Sequence, residues 1–159
     1  MNTKYLTKAS MIAGIYIVLV LVQIPLGELA FGPIQLRLAE GLVLLPLVEG
    51  AAVPGVFIGC LVSNAILASY SGFGLIDILG GSLVTLLAAY LTSKMSNKIL
   101  GILPPVILNG FIVSIWVSFF TKMPYWYTVL GIGVGELASV AIFGSIILHV
   151  YEKTKQSKL

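Results

Sequence analysis

Residues 9–27 read ASMIAGIYIVLVLVQIPLG, a run of 19 residues without a charged side chain. A helix of about 20 apolar residues spans the roughly 30 Å hydrocarbon core of a bilayer, so this run is long enough to cross a membrane. No convincing small-residue cleavage site ends it, and Pro25 and Glu28 follow a span of full length. We therefore expect a permanent transmembrane helix and not a removed signal peptide.

The composition extends this expectation to the whole chain. Of the 159 residues, 58% are hydrophobic and only 9% are charged, and the mean hydropathy is +1.07. Soluble domains carry about 25% charged residues, so this chain has too little polar surface to coat a water-soluble globule. We expect an all-α integral membrane protein that forms a single membrane-embedded, substrate-binding domain over residues 1–159.

Breaks in the apolar pattern divide the chain into six predicted helices. Glycine, proline and short polar segments separate them, as turns and helix ends require. In order, the predicted helices cover about residues 8–25, 35–48, 54–69, 76–93, 104–121 and 126–150. The second helix is too short to cross alone unless it tilts or starts below the surface. The pattern therefore predicts a six-transmembrane-helix bundle.

The basic residues predict how this bundle is oriented in a multi-pass cell-membrane protein. Six crossings place both termini on one side, and Arg37 and Lys122 on the other. The side of the termini carries seven lysines, which are Lys4, Lys8, Lys94, Lys98, Lys153, Lys155 and Lys158. Because cytoplasmic loops carry the excess of Lys and Arg, we expect both termini in the cytoplasm. This placement explains the pI near 9.0 without a nucleic-acid partner.

Two groups of charged residues fall where lipid penalises them. A charge at the bilayer centre costs on the order of 2.5–3.5 kcal/mol on insertion scales. Glu136 lies about ten residues into the sixth helix, after three glycines that allow a backbone or a ligand to approach closely. Arg37 and Glu40 are three residues apart and share a helix face. Each has a structural alternative: Glu136 can pair with another helix or be protonated, and Arg37 with Glu40 can form an ion pair alone.

The predicted topology brings these groups together with other polar and aromatic side chains at the outer half of the bundle. The candidate substrate-binding residues are Arg37, Glu40, Asn64, Asp77, Asn109, Trp126 and Glu136. Carboxylates, amides and a ring for stacking suit a small, planar heterocycle, since a guanine-like edge offers adjacent N–H donors to one carboxylate. The amides can instead bond across helices, Asp77 can cap its helix, and aromatic residues can anchor the interface.

The sequence lacks the machinery of an enzyme. It has no phosphate-binding loop of the Gly-x-x-x-x-Gly-Lys-Ser/Thr type, so the chain cannot hydrolyse ATP alone. The single cysteine, Cys60, and the single histidine, His149, provide no nucleophilic or metal constellation, and we expect no catalytic residue, metal or cofactor. Three functions stay open: a solute-binding importer subunit, a stand-alone proton-coupled carrier or small channel that uses Glu136, and a structural subunit without a ligand.

Small residues recur at four-residue spacing in two predicted helices. Ala9 and Ala13 form one such face in the first helix, and Gly55 and Gly59 form another in the third. Such faces allow helices to approach closely. Packing inside the bundle explains either pattern, and so does contact with another membrane protein.

Six segments together resemble one transporter family. They are QLRLAEGL (35–42), LLP (44–46), VPGVFIGC (53–60) with Asn64, DILGGSLVTLLAAYL (77–91), LPPVILN (103–109) and GVGEL (133–137). In order along nearly all of the chain, they are similar to the QueT family of queuosine-precursor transporters. These proteins are substrate-binding S components of energy-coupling factor importers.

The resemblance implies a mechanism and partners. Substrate would enter from outside, beneath a lid made by the loop between the first two helices. A transmembrane T protein with two ATPase subunits would dock against Ala9 and Ala13, and the S component would topple in the lipid bilayer to release substrate inward. The expected substrates are 7-deazaguanine precursors of queuosine, such as 7-aminomethyl-7-deazaguanine, or queuine.

The site roles are hypotheses that combine this resemblance with side-chain chemistry. We expect Glu136 and Glu40 to bind the guanine edge and the aminomethyl cation. Asn64 and Asn109 are expected to provide amide contacts, and Trp126 a stacking surface.

Overall fold

The computed structural model describes residues 2–27 and 35–156, without the side chains of residues 69–71. These residues form helices and no strand. The six principal helices are α1 Thr3–Val22, α2 Leu38–Leu47, α3 Ala52–Ser71, α4 Ile76–Thr92, α5 Lys98–Thr121 and α6 Tyr125–Gln156. By length and composition, three stretches of the described chain suit a membrane crossing, namely Thr3–Leu26, Lys98–Thr121 and Tyr125–Gln156. The count of six crossings stays a prediction.

The start of α5 differs from the predicted one. The sequence places it at Pro104, whereas the helix begins at Lys98. Asn97 caps it, because its side chain accepts a hydrogen bond from the Leu100 N–H at 3.0 Å. A short polar side chain before a helix satisfies one of the first free N–H groups, and this cap moves the start six residues earlier.

The two prolines of α5 lie inside the helix. Pro105 has no N–H to donate to the carbonyl of Gly101, four residues earlier. The Thr92 hydroxyl, from the end of α4, donates to that carbonyl at 3.0 Å. A side chain thus satisfies the freed carbonyl, which is how proline is tolerated within membrane helices.

Two further helix ends extend beyond their predicted positions. α1 begins directly after Asn2, whose side chain accepts from the Lys4 N–H at 3.1 Å. α6 runs on to Gln156, and its last turn carries Lys153 and Lys155. Basic side chains there interact favourably with the negative end of the helix dipole, so the polar tail continues the helix.

The second helix is a 3₁₀ helix inside the bundle. Eight consecutive residues of α2, positions 39–46, are buried. At about 2.0 Å per residue a 3₁₀ helix of this length is roughly 20 Å long, shorter than a bilayer core. A Cβ atom on Gly41 would lie only 2.9 Å from the Gly144 nitrogen of α6. Paired glycines therefore let α2 lie against α6 and carry its polar start into the bundle.

The two small-residue faces pack against each other. A Cβ atom on Gly55 would lie 2.9 Å from the Ala9 carbonyl oxygen, and one on Gly59 would lie 3.1 Å from the Ala13 carbonyl oxygen. Ala9 and Ala13 are each only 5% exposed. The structure thus places both alanines in the contact between α1 and α3, the packing explanation that the sequence also allows, and not on an exposed partner face.

Gly59→Ala is expected to destabilise the bundle, because the new Cβ atom would lie 2.6 Å from the Cβ atom of Tyr16. Overpacking of this kind costs about 1–3 kcal/mol, measurable as a loss of unfolding free energy in detergent. Gly14→Ala is the matched control, since nothing lies within 4 Å of its Cβ position. Equal losses in the two variants would contradict the close α1–α3 contact.

A polar cluster joins α1 to α6 at one end of the bundle. Lys8 of α1 and Tyr151 of α6 both donate to Glu49 in the loop after α2, and the tyrosine bond measures 2.5 Å. Burial raises the pKa of Glu49, but the hydrogen bonds from Lys8, Tyr151 and the Ala51 backbone outweigh burial and hold the pKa below its ordinary value. The carboxylate therefore stays charged and fastens the three segments together.

Candidate ligand-binding site

Three helices contain π-helical segments, in which one extra residue widens a turn. The segments are Ile76–Gly81 in α4, Asn109–Val113 in α5 and Ser139–Gly144 in α6. Such bulges are frequent at functional sites. Each segment carries a polar side chain at or next to its first residue, namely Asp77, Asn109 and Ser139.

A small polar pocket lies among α2, α4, α5 and α6. Its lining residues are Gln35, Arg37, Glu40, Asp77, Gly81, Thr85, Asn109, Val113, Ile132 and Glu136. Five of the seven candidate substrate-binding residues are among them. The cavity measures about 10 Å³, which is the room of roughly one water-sized probe. The structure therefore brings charged and amide groups of four helical segments together in a closed conformation.

One wall of the pocket is a network around Arg37. Its Nη1 atom lies 4.0 Å from Oε1 of Glu40, and its Nη2 atom donates to Oδ1 of Asn64 at 3.1 Å. The Asn64 amide in turn donates to the Asp77 carbonyl at 2.9 Å. Asn64 is thus engaged on both sides and lies behind the pocket lining. It holds Arg37 and connects α3 to the π-helical segment of α4.

The opposite wall is a pair of polar groups from α5 and α6. Asn109 donates to Oε1 of Glu136 at 2.9 Å, and Glu136 is only 4% exposed. Both residues line the pocket. The carboxylate keeps further acceptor capacity, since each carboxylate oxygen has two lone pairs.

Trp126 lies outside the pocket. Its side chain is 67% exposed, and its ring meets those of Phe111 and Tyr125 edge-on. The tryptophan next to the site is Trp116, which is buried and donates its indole N–H to Oδ1 of Asp77 at 3.3 Å. The stacking role expected of Trp126 therefore does not fit its exposed position, and exposed tryptophans of membrane helices are typical of interfacial anchors.

A short extended segment forms the edge of the pocket. The Gln23 side chain donates to the Leu36 carbonyl at 2.8 Å and accepts from the Leu38 N–H at 2.7 Å. The Arg37 N–H donates to the Ser139 hydroxyl at 3.0 Å. The side chains of Gln23, directly after α1, and of Ser139 in α6 thus hold residues 36–38. The predicted lid falls largely on residues 28–34, outside the described residues, as does Lys158.

Several contributors to the site were not predicted from the sequence. The Tyr16 hydroxyl of α1 donates to Oε1 of Glu40, and both groups are buried. Gln35 and Thr85 line the pocket, and Trp116 contacts Asp77. Tyr16 and Trp116 could have been suspected from the sequence, since a buried tyrosine or tryptophan in an apolar helix usually finds a partner for its O–H or N–H.

A second cavity is an open apolar groove between α1, α2 and α6. It measures about 710 Å³. Its lining residues are Lys8, Met11, Ile12, Ile15, Leu19, Leu38, Leu42, Leu45, Glu49, Phe143, Ile146, Ile147, Val150, Tyr151 and Thr154. The polar groups lie at the end marked by Glu49, and the remaining walls are apolar. This surface suits lipid or an apolar helix and not a polar solute.

An apolar helical chain with a buried pocket of charged side chains has the features of a membrane transport component. The chain belongs to the QueT transporter family, whose model matches residues 6–153 and so covers nearly all of it. It is accordingly a transporter component and not an enzyme. The comparisons with curated proteins and with solved structures gave no match.

Proposed function

We propose that the chain is the substrate-binding S component of an energy-coupling factor importer for a queuosine precursor. The substrate would be a 7-deazaguanine such as 7-aminomethyl-7-deazaguanine or queuine, taken from the outer side of the membrane. Membership of the QueT family supports this class of substrate, and the chemistry of the pocket supports a base rich in N–H donors.

The observation that carries the proposal is the acidic lining of one buried pocket. Glu40, Asp77 and Glu136 face it together with Arg37, the one cation among the described lining residues. Oε2 of Glu40 is buried and has no hydrogen-bond partner in the described part of the chain. Buried acceptors without a partner are costly, so N–H donors of a ligand would stabilise this arrangement. The surplus of carboxylates favours a ligand with a positive charge.

Binding a bicyclic base requires a wider pocket than the closed one. Residues 35–37 precede α2 and are not helical, and hydrogen bonds with the side chains of Gln23 and Ser139 hold residues 36–38. Displacement of this segment would open the pocket without unfolding a helix.

Release of substrate would need a T protein and two ATPase subunits, because the sequence has no nucleotide-binding loop of its own. With Ala9 and Ala13 buried, a T protein on this side would contact the apolar groove beside α1. The lysines near the Glu49 end of the bundle support cytoplasmic termini by the positive-inside rule. The groove would then open towards the cytoplasmic half of the bilayer.

Buried carboxylates also suit a stand-alone proton-coupled carrier, and transport assays separate the two functions. The S-component proposal predicts uptake of radiolabelled 7-aminomethyl-7-deazaguanine into liposomes only when the T protein, the ATPase subunits and ATP are present. Uptake by the chain alone under a pH gradient would favour the carrier.

Glu136→Gln is expected to weaken binding of 7-aminomethyl-7-deazaguanine at least about tenfold, or about 1.4 kcal/mol. The substitution keeps the size of the side chain and an oxygen to accept from Asn109, but it replaces the second carboxyl oxygen with an amide group that donates. Isothermal titration of the detergent-purified chain measures the dissociation constant.

Glu152→Gln is the matched control, since Glu152 is an exposed residue of the same helix. Its dissociation constant is expected to equal that of the wild type. An unchanged dissociation constant in Glu136→Gln would remove Glu136 from the binding site.

A further inference from the structure

Tyr16 is an unusual group for the middle of a transmembrane helix. It lies within α1, its side chain is fully buried, and its hydroxyl donates to Oε1 of Glu40 on α2. A hydroxyl buried without a partner would cost about 1–3 kcal/mol. The bond to Glu40 avoids this cost, and it joins the first helix to a carboxylate that lines the pocket.

The two oxygens of Glu40 have different surroundings. Oε1 accepts from Tyr16 and lies 4.0 Å from Nη1 of Arg37. Oε2 is buried without a hydrogen-bond partner in the described part of the chain. Donors of the protein therefore interact with Oε1, and Oε2 is left for a donor of the ligand.

Tyr16 packs against α3 at Gly59, where the missing side chain leaves room for it. The Cβ position of Gly59 lies 2.6 Å from Cβ and 2.9 Å from Cγ of Tyr16, so any side chain at residue 59 would displace the ring. Gly59 thus leaves room for the Tyr16 side chain against α3. Tyrosine has few rotatable bonds, so a ring confined in this way fixes the position of its hydroxyl.

We propose that Tyr16 is a positioning residue for ligand binding, which holds the Glu40 carboxylate so that Oε2 faces the bound base. This inference rests on the proposed function, and it assigns to α1 a part in recognition as well as in packing. Charge-assisted hydrogen bonds have stricter geometry and greater strength than neutral ones. A carboxylate held in one rotamer would therefore bind an N–H edge better than a mobile one.

A purely structural role would also make Tyr16→Phe less stable, so stability alone does not test the proposal. The informative readout is whether the effect on binding depends on Glu40. If Tyr16 acts through the Glu40 carboxylate, removing its hydroxyl matters only while that carboxylate is present. Double-mutant cycles measure this dependence.

The experiment compares four detergent-purified chains: wild type, Tyr16→Phe, Glu40→Gln and the double variant. Each is titrated with 7-aminomethyl-7-deazaguanine by calorimetry. Tyr16→Phe is expected to weaken binding about tenfold in the wild type, as for a lost bond to a charged group, and less than about twofold in Glu40→Gln. Tyr5→Phe is the control, because its hydroxyl bonds to the Gly50 carbonyl, outside the pocket lining.

Infrared difference spectra provide a second readout. The carboxylate band that ligand addition shifts, assigned to Glu40 by its absence in Glu40→Gln, is expected to change its shift in Tyr16→Phe. Unchanged affinity and an unchanged band in Tyr16→Phe, or equal losses of affinity in both backgrounds, would overturn the positioning role. If the wild-type chain does not bind the base, the proposed function fails as well.

Discussion

Replacement of Gly135 by alanine is expected to reduce ligand binding at least about 100-fold, or about 2.7 kcal/mol. A Cβ atom at this position would lie 1.8 Å from the carbonyl oxygen of Gln35, a distance that no contact between non-bonded atoms allows. Residues 35–38 would have to move, and Arg37 would move with them. The lining of the pocket would then be lost on one side. Equilibrium titration with 7-aminomethyl-7-deazaguanine measures the effect.

Gly133→Ala is the matched control for this change. Gly133 lies two residues before Gly135 on the same helix and has nothing within 4 Å of its Cβ position. Its affinity is expected to equal that of the wild type. Similar affinities for the Gly133 and Gly135 variants would mean that residues 35–38 do not lie against α6 when the ligand binds.

Glu40→Ala is expected to destabilise the chain by about 3–5 kcal/mol, the cost of removing one partner of a buried charged pair. Arg37 would lose the carboxylate at 4.0 Å, and the Tyr16 hydroxyl would lose its acceptor. The unfolding free energy in detergent, measured by titration with a denaturing detergent, gives the size of the effect.

An exposed carboxylate provides the comparison. Glu152→Ala removes a solvated charge, and such substitutions usually change stability by less than about 0.5 kcal/mol. Glu40→Gln, which keeps an acceptor for Tyr16, is expected to fall between the two. If Glu40→Ala were as stable as Glu152→Ala, the Arg37–Glu40–Tyr16 contacts would not exist in the folded chain.

The helical fold and the charged residues of the pocket could be predicted from the sequence, because a bilayer allows few structures and few positions for charges. Long uncharged runs have to be helices in a bilayer. Charged side chains within such runs have to face the bundle interior, which is how Glu40 and Glu136 came to be candidates. The structure brings both to one pocket, although the pattern carried no information on distances.

Trp116, the aromatic residue next to the site, could not be predicted from a sequence pattern. Trp116 follows the π-helical segment Asn109–Val113, and an inserted residue rotates every following side chain around the helix axis. The face on which Trp116 lies therefore cannot be counted from regular periodicity. Trp126 was favoured because it lies near an outer helix end, where interfacial aromatic residues also occur.

Contacts between residues far apart in the sequence could not be predicted either. Tyr16 and Glu40 are 24 residues apart, and Arg37 and Ser139 are 102 apart, so neither pair has a local signal. The alanine and glycine faces had a signal but an ambiguous one. Four-residue spacing predicts close approach, and only the structure shows that Ala9 and Ala13 meet α3.

Mass spectrometry of small molecules that copurify with the chain tests most directly whether this pocket holds a deazaguanine. The wild-type chain and Gly135→Ala would be purified in parallel from cells supplied with 7-aminomethyl-7-deazaguanine, then denatured to release what they hold. We expect near-stoichiometric base from the wild type and almost none from Gly135→Ala. Equal amounts from both chains, or only lipid and detergent from the wild type, would contradict binding in the pocket formed by Glu40, Asp77 and Glu136.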